Sequence, residues 1–145
     1  MLTFPKRILF VGFGFVARCT LPILLKHVRV PPENITILEF EPDEAAIRPW
    51  VEQGVNFVRA RLASDNLGEL LDRHVSAGDI LIDLAWNIDC VEILQWCHDH
   101  GVLYLNTSVE LWDPYENAQQ AHPRKMTLYW RHMNLRRMTA SWAEP

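Results

Sequence analysis

The sequence has little of several features that mark special classes of protein. Its 145 residues include three cysteines, Cys19, Cys90 and Cys97, which are too few for a disulfide scaffold. No uncharged apolar run comes near the roughly 18 residues of a membrane-spanning helix. The longest run, residues 8–17, contains a patterned pair of glycines and lacks a signal-peptide cleavage site. We therefore expect a cytoplasmic protein that does not enter the membrane.

The sequence also has no excess of basic residues. It contains 14 Lys and Arg and 18 Asp and Glu, which gives a net charge of −4. The charge is uneven: residues 122–145 carry five basic side chains against one acidic, which leaves them at +4 and residues 1–121 at −8. An acidic body does not suit a phosphate backbone, so we expect no nucleic-acid partner. The 49% apolar and 22% charged composition is typical of one globular domain.

What the sequence does contain is an alternation of short apolar runs and helical patterns. The runs bounded by glycine, proline and polar residues predict buried strands, at residues 7–11, 35–39, 55–58, 79–84 and 102–105. Between them, apolar side chains recur at helical spacing, and the predicted helix caps are Asp43, Ser64 or Asp65, and Asp89. This order predicts an α/β protein with a Rossmann-type doubly wound parallel sheet.

The turn between the first strand and the first helix carries a G-x-G-x-x-A pattern formed by Gly12, Gly14 and Ala17. The first glycine permits a tight turn, the second lets a diphosphate approach the backbone, and the small third residue lets the helix pack closely. An acid, Glu39, ends the second strand 22 residues after Ala17. The pattern in this context predicts a dinucleotide-binding site, with packing alone as the alternative.

The choice between NAD and NADP depends on Glu39. Its carboxylate can accept both ribose hydroxyls, and it would repel a 2′-phosphate by about 4 kcal/mol at 4 Å and an effective dielectric near 20. Glu41 and Asp43 follow it closely in the sequence, and no arginine does. Alanine at the third position leans slightly towards NADP, but the electrostatic term is larger. We therefore predict NAD as the cofactor.

Further site residues follow from the rule that ligands lie across the carboxyl ends of parallel strands. After the fourth strand this places Ala85, Trp86 and Asn87 beside the cofactor, and after the fifth strand Asn106, Thr107 and Ser108. Glu110 and Trp112 come next, where a nicotinamide and its substrate would lie. From position alone we favour plainer roles for these two, with Glu110 supporting a helix cap at Thr107 or Ser108 and Trp112 in the core.

Two other features suggest chemistry but favour structural roles. The four side chains at residues 97–100 would point in four directions on a helix, so we predict no metal site there. Cys19 lies near a helix N-terminus, where thiols can be reactive, but we predict a buried position under the first strand.

The carboxyl-terminal region differs from the rest of the chain. We predict a helix over residues 122–138 with two apolar stripes, one of Met126, Tyr129, Trp130 and Met133 and one of Leu128, Leu135 and Met138. A helix that is apolar on two sides needs partners on both. The sheet can be one partner, and a second copy or another chain the other. We therefore divide the chain into a nucleotide-binding domain, 1–121, and a linker helix region, 122–145.

Four stretches of the sequence together resemble the amino-terminal part of bacterial homospermidine synthases, which are related to the saccharopine dehydrogenases. The stretches are residues 7–17 with 20–22, 35–39, 104–112 and 127–131. The resemblance implies an NAD-dependent enzyme in which NAD⁺ takes a hydride from putrescine, a second amine replaces ammonia, and the hydride returns to give homospermidine. It also implies that the cofactor is held by Gly12, Gly14, Phe15, Val16 and Glu39, and it makes Glu110 a candidate contact for the cationic diamine.

The chain is shorter than the enzymes it resembles, so we expect the substrate domain to be missing and this chain alone to be inactive, because chemistry needs a closed site. The small polyamine substrate would then bind only together with the missing domain. Two alternatives stay open. One is a stand-alone nucleotide-sensing or interaction domain, and the other is the cofactor domain of a different saccharopine dehydrogenase-like oxidoreductase.

Overall fold

The apolar runs of the sequence form the strands of a parallel sheet. The structure, a computed structural model, describes residues 2–115, 119 and 122–142. Its strands there are β1 (Leu2–Thr3), β2 (Ile8–Val11), β3 (Val28–Arg29), β4 (Ile35–Glu39), β5 (Asn56–Arg59), β6 (Ile80–Asp83) and β7 (Leu103–Asn106). Its α-helices are α1 (Phe15–His27), α2 (Glu44–Val51), α3 (Leu67–His74), α4 (Cys90–Asp99) and α5 (Leu128–Thr139), and 3₁₀ helices lie at Pro32–Asn34 and Pro123–Met126.

The main sheet has the strand order β5–β4–β2–β6–β7, and all of its strands are parallel. The chain starts at the central strand β2, moves outward through β4 and β5, and then returns to fill the other side. The direction of this order reverses beside β2, so a crevice opens at the carboxyl ends of β4, β2 and β6. The predicted Rossmann-type fold is confirmed. The short strands β1 and β3 pair separately, and the sequence analysis missed them.

Alternate residues of β2 pack into two different cores, as a strand buried on both faces requires. Leu9 and Val11 face one cluster, which includes side chains of α3 and α4. Ile8 and Phe10 face the other cluster, which includes side chains of α1 and α2. Helices therefore cover both faces of the sheet and leave its carboxyl edge to the connecting loops.

Two of the three predicted helix caps are confirmed. The Asp43 carboxylate accepts from the N–H groups of the first turn of α2, and Asp89 does the same for α4. The prediction of Ser64 or Asp65 as the third cap is wrong, because α3 begins at Leu67. Ser64 instead donates its hydroxyl to Glu92 on α4 at 2.8 Å.

The predicted burial of Cys19 is also wrong, since this residue is exposed. Helix α1 buries Ala17 and Leu21 against the sheet. Successive residues turn by about 100° on a helix, so Cys19 is carried roughly 200° from Ala17, to the far side. Pro22 lies inside α1 without dividing it.

The predicted single helix over residues 122–138 is in fact two elements. A 3₁₀ helix covers Pro123–Met126, and Thr127 then caps α5 by accepting from the Trp130 N–H at 3.2 Å. No residue of α5 is buried, so its apolar stripes do not pack into the sheet as expected. Among the helices of the described residues, none is long and apolar enough to cross a membrane.

Candidate functional site

The turn between β2 and α1 needs glycine at position 12 for two reasons. Gly12 has φ +84°, a left-handed conformation that side chains rarely adopt. A Cβ atom there would also lie 2.7 Å from the Ala85 Cα and 2.8 Å from the Ala85 nitrogen, both backbone atoms of the loop after β6. The close approach of these two loops forms the floor of the crevice at the carboxyl edge of the sheet.

Gly14 faces open space instead. No atom outside its immediate neighbours lies within 4 Å of the position that its Cβ would take, and Gly14 lines the crevice. It is the N-cap of α1, and no side chain accepts a hydrogen bond from the first turn of that helix. The free amides and the open approach fit the diphosphate of a dinucleotide.

The next three residues of the pattern divide into two roles. Ala17 is fully buried against the sheet, which is the packing role expected of the small third residue. Phe15 and Val16 expose 83% and 48% of their surface. What these two residues offer a cofactor at this position is the backbone N–H of the first turn, and neither lines the first cleft.

The carboxylate of Glu39 is held in place by three backbone amides. One oxygen, Oε2, accepts from the Phe13 N–H at 2.7 Å, and the other, Oε1, accepts from the N–H groups of Phe40 at 2.8 Å and Glu41 at 3.0 Å. These bonds tie the end of β4 to the glycine turn and fix the carboxylate at the crevice. An ionised carboxylate offers about four acceptor sites, so capacity is left for a ribose hydroxyl.

These elements enclose a first cleft of about 420 Å³. Six of the predicted site residues line it: Gly12, Gly14, Glu39, Ala85, Trp86 and Asn87. Sequence reasoning missed Phe40 and Arg61, which lie in the loops after β4 and β5. The guanidinium carbon of Arg61 lies 5.3 Å from the centre of the Phe40 ring. The rule that ligands lie at the carboxyl ends of strands could have found both, had it been applied to the loops after β4 and β5.

The loop after β6 separates the first cleft from a second one. Trp86 and Asn87 line both clefts. Trp86 is 80% exposed, and Asn87 has φ +56°, a conformation that asparagine tolerates better than most residues. The left-handed residue turns the chain sharply, so that this loop forms a wall between two spaces.

The second cleft, of about 520 Å³, is lined mainly by aromatic and acidic side chains. Besides Trp86 and Asn87, its lining consists of Glu110, Trp112, Asp113, Pro114, Tyr115, Met126 and Arg131. Glu110 and Trp112, which follow the fifth predicted strand where a nicotinamide and its substrate would lie, both belong to this lining. Trp112 also packs against the core cluster that includes α3 and α4, in agreement with the plainer role expected of it. Aromatic faces beside carboxylates form a surface that suits an alkyl ammonium group.

Thr107 and Ser108 line neither cleft. The Ser108 hydroxyl donates to Glu110 Oε1 at 2.5 Å, so it orients that carboxylate from the side. No helix begins in residues 107–115, so the interpretation of Glu110 as support for a helix cap is wrong.

Two buried N–H groups in the second cleft lack a hydrogen-bond acceptor among the described residues. They are Trp112 Nε1 and Arg131 Nε. Another nitrogen of Arg131, Nη1, donates to the Val109 carbonyl at 3.3 Å and so links α5 to the loop that carries Glu110. Trp112 and Arg131, which both line this cleft, thus each keep a buried donor without a described partner.

Asp83, the last residue of β6, lies buried beneath the loop that separates the clefts. It accepts from the Tyr104 hydroxyl at 2.8 Å and from the Ala85 N–H at 3.2 Å. Burial raises the pKa of Asp83 more than these bonds lower it, and the nearby Glu110 charge raises it further. The Asp83 carboxyl group is thus easier to protonate than an ordinary aspartate.

The two buried cysteines, Cys90 and Cys97, are unreactive. Burial raises the pKa of Cys90 to about 11 and that of Cys97 to about 12, so neither is a nucleophile near neutral pH. In the described part of the chain, no three His, Cys, Asp or Glu side chains come together as metal ligands would.

Comparisons with known proteins agree with this geometry. Homospermidine synthases from Blastochloris viridis and Mesorhizobium japonicum are each 28% identical over 108 residues, which is 72% of this chain and 22% of theirs. The chain thus spans less than a quarter of these relatives. A crystal structure of homospermidine synthase from Legionella pneumophila in complex with NAD has a TM-score of 0.76 at 23% identity, covering 93% of this chain and 27% of that one. At this identity the likeness shows the fold alone.

The family model described as the saccharopine dehydrogenase NADP-binding domain matches residues 8–145. This range includes the glycine turn, Glu39 and both clefts. The resemblance stated from the sequence is confirmed, and so is the expectation of a nicotinamide dinucleotide site. The chain belongs to the saccharopine dehydrogenase NADP-binding domain family.

Proposed function

We propose that the chain is the NAD-binding domain of an enzyme similar to homospermidine synthase. The observation that carries this proposal is the pair of clefts that share Trp86 and Asn87 as their common wall. The first has the backbone amides, the open glycine and the fixed carboxylate that a dinucleotide needs. The second has the aromatic and acidic lining that an amine needs. A hydride donor and acceptor would then meet at the shared wall.

Glu39 supports NAD as the cofactor, although the name of the family refers to NADP. Its carboxylate is fixed at the crevice by three amides, and Glu41 lines the same cleft. Arg18 lies near the loop after β4, and its guanidinium is already paired there with Asp43 at 2.9 Å. A 2′-phosphate would therefore meet the carboxylates of Glu39 and Glu41 and one cationic lining residue, Arg61, whereas a ribose diol would find an acceptor.

The bound cofactor would supply hydride transfer, as in the reaction expected from the resemblance. The residues of this chain would bind and orient the substrate amine for that transfer. Glu110, fixed by the Ser108 hydroxyl, would accept hydrogen bonds from a primary ammonium group. Trp86 and Trp112 would present aromatic faces to the alkyl chain and its charge.

We propose further that this chain alone binds NAD and turns over nothing. It spans only 22% of the homospermidine synthases that it matches, and the second cleft is formed by surface loops and by a helix with no buried residue. Catalysis requires the substrate to be held in a near-attack geometry away from water. Parts of the relatives outside the matched region would provide that enclosure.

A second candidate is the cofactor domain of a different oxidoreductase of the wider family. The observation in its favour is Arg131 in the lining of the second cleft, where its Nε and the Nε1 of Trp112 both lack an acceptor among the described residues. A guanidinium and an indole N–H suit a carboxylate, so this arrangement favours an amine that also carries a carboxylate, such as an amino acid. A diamine would leave these two donors unused.

Isothermal titration of the 145-residue chain tests these proposals. We expect NAD to bind more tightly than NADP, and we expect Glu39→Gln to reduce this preference, because the substitution removes the charge and keeps the shape. Because the second cleft lacks its enclosure, we expect at most weak amine binding by this chain, and at high amine concentration with NAD saturating a preference for putrescine over lysine supports the homospermidine synthase-like function. Failure of both dinucleotides to bind would contradict the proposed function. Tighter binding of lysine would favour the second candidate.

A further inference from the structure

Phe40 and Arg61 line the first cleft, and neither has been given a role so far. Phe40 directly follows Glu39 and is 45% exposed. The guanidinium carbon of Arg61 lies 5.3 Å from the centre of its ring, and both residues line the cleft. Within the described residues, Arg61 takes part in none of the ion pairs. The Phe40 ring and the Arg61 guanidinium, which has no ion-pair partner among the described residues, thus lie together in the lining of the first cleft.

The sheet brings these two side chains together. Strands β4 and β5 are parallel neighbours, with Glu39 opposite Arg59 in their register. Both chains therefore leave the sheet at the same edge, and Phe40 and Arg61 follow the ends of the two strands by one and two residues. The contact is a direct result of the fold, although 21 positions separate the two residues in sequence.

The position of the pair relative to Glu39 indicates its ligand. In the proposed complex, Glu39 accepts from the ribose on the adenine side, so the base attached to that ribose lies beside the residues that follow Glu39. A purine base is flat and stacks well on an aromatic ring or on a planar guanidinium. Phe40 and Arg61 offer one surface of each kind at this place.

We propose that Phe40 and Arg61 form the stacking platform for the adenine of the dinucleotide, with Arg61 acting through its planar guanidinium. The inference rests on the proposed NAD-binding function. It differs from a role for Arg61 as a 2′-phosphate ligand, since Glu39 and Glu41 line the same cleft and oppose a phosphate there. The platform binds the base that NAD and NADP share, so it does not discriminate between them.

The test is isothermal titration of the 145-residue chain with NAD and with NADP. Arg61→Ala should weaken the binding of both by about tenfold, the effect of one stacked base. Arg61→Lys should weaken binding nearly as much, because lysine keeps the charge and loses the plane. Phe40→Leu should weaken it to a similar degree. The matched control is Arg59→Ala, which removes the same charge two residues away, outside the cleft lining, and should leave both affinities unchanged.

Several results would overturn the platform. Wild-type affinity in Arg61→Lys would show that charge alone matters, and a loss confined to NADP would make Arg61 a phosphate ligand. An equal loss in Arg59→Ala would indicate a long-range charge effect. Unchanged NAD binding in Arg61→Ala would refute the platform and leave the proposed function intact, whereas a wild-type chain that binds neither dinucleotide refutes both. Urea unfolding of each variant separates weakened binding from misfolding, which we do not expect at these exposed side chains.

Discussion

Two buried aspartates at opposite ends of β6 have opposite electrostatic environments. Asp79, just before the strand, is 2% exposed, and Asp83, its last residue, is 6% exposed. Asp79 accepts from the backbone N–H groups of Arg7 and Ser76 and from both of their side chains. Among the described residues, Asp83 accepts one hydrogen bond on each oxygen, from Tyr104 and from Ala85. The carboxylate at the amino end of the strand thus has more donors than the one at the carboxyl end, and it also faces a guanidinium.

The pKa values of the two carboxyl groups reflect this difference. Burial alone would raise the pKa of Asp79, but the N–H donors and the Arg7 guanidinium together hold it below its usual range. Burial raises the pKa of Asp83, and its two hydrogen bonds do not compensate. The comparison separates an edge of the sheet built for stability from an edge that keeps a carboxyl group with a raised pKa beside a cleft. Functional sites are where proteins retain such groups.

The substitution with the largest expected effect tests whether the carboxyl edge of the sheet depends on the close approach of the loops after β2 and β6. Gly12→Ala places a Cβ against the Ala85 backbone at 2.7–2.8 Å and forces a side chain into φ +84°. We expect a loss of about 4 kcal/mol in the free energy of unfolding and loss of NAD binding. Urea unfolding and isothermal titration measure the two effects.

The matched control for this substitution is Gly54→Ala. Gly54 also has a positive φ, of +99°, but its Cβ would meet only the Pro32 side chain at 3.6 Å. The expected loss is about 1 kcal/mol from the backbone conformation alone. Equal losses at the two positions would mean that the contact with Ala85 contributes nothing.

The second prediction tests the amino edge. Asp79→Asn removes a buried charge that faces Arg7 and replaces one acceptor by a donor, so we expect a loss of about 3 kcal/mol at pH 7. NAD affinity should not change, because Asp79 lies at the far end of the sheet. Weakened NAD binding in a folded variant would contradict the separation of the two edges.

The pH dependence of Asp79 has a definite sign. Its pKa is lower in the folded state, so the stabilisation is present above the unfolded pKa and is lost as the pH falls through the folded value. Wild-type stability should therefore decline below about pH 4, and Asp79→Asn should decline less. The exposed Asp65→Asn is the control, and it should follow the wild type. Thermal unfolding between pH 3 and pH 7 provides the measurement.

The same contrast explains what could be predicted from the sequence. The strands and the glycine turn depend on local patterns, because alternating burial and a tight turn need particular residues at fixed spacing. The contact of Arg61 with Phe40 and that of Arg131 with the Val109 carbonyl depend on which distant parts of the chain the fold brings together. No local pattern contains that information.

The carboxyl-terminal region shows the limit most clearly. The apolar stripes of residues 122–138 predict burial, yet α5 has no buried residue. Periodicity shows which face of a helix is apolar, but it does not show whether anything packs on that face. The cap at Asp89 was predictable because a side chain and the amides it serves lie within three residues.

The substitution with the smallest expected effect tests Asp83, the aspartate at the carboxyl edge. Tyr104→Phe removes the hydroxyl that donates to Asp83 at 2.8 Å, and we expect a loss of about 1 kcal/mol near neutral pH. The pKa of Asp83 is raised in the folded state, so the folded protein binds this proton more tightly and its stability falls as the pH rises from the unfolded towards the folded pKa. Without the hydroxyl the pKa rises further, and this fall should become larger. Unfolding measured from pH 4 to pH 8 checks the slope, with the exposed Tyr129→Phe as control. If Tyr104→Phe keeps the wild-type slope, the Tyr104 hydroxyl does not stabilise the Asp83 carboxylate, and the contrast between the two aspartates then depends on burial alone.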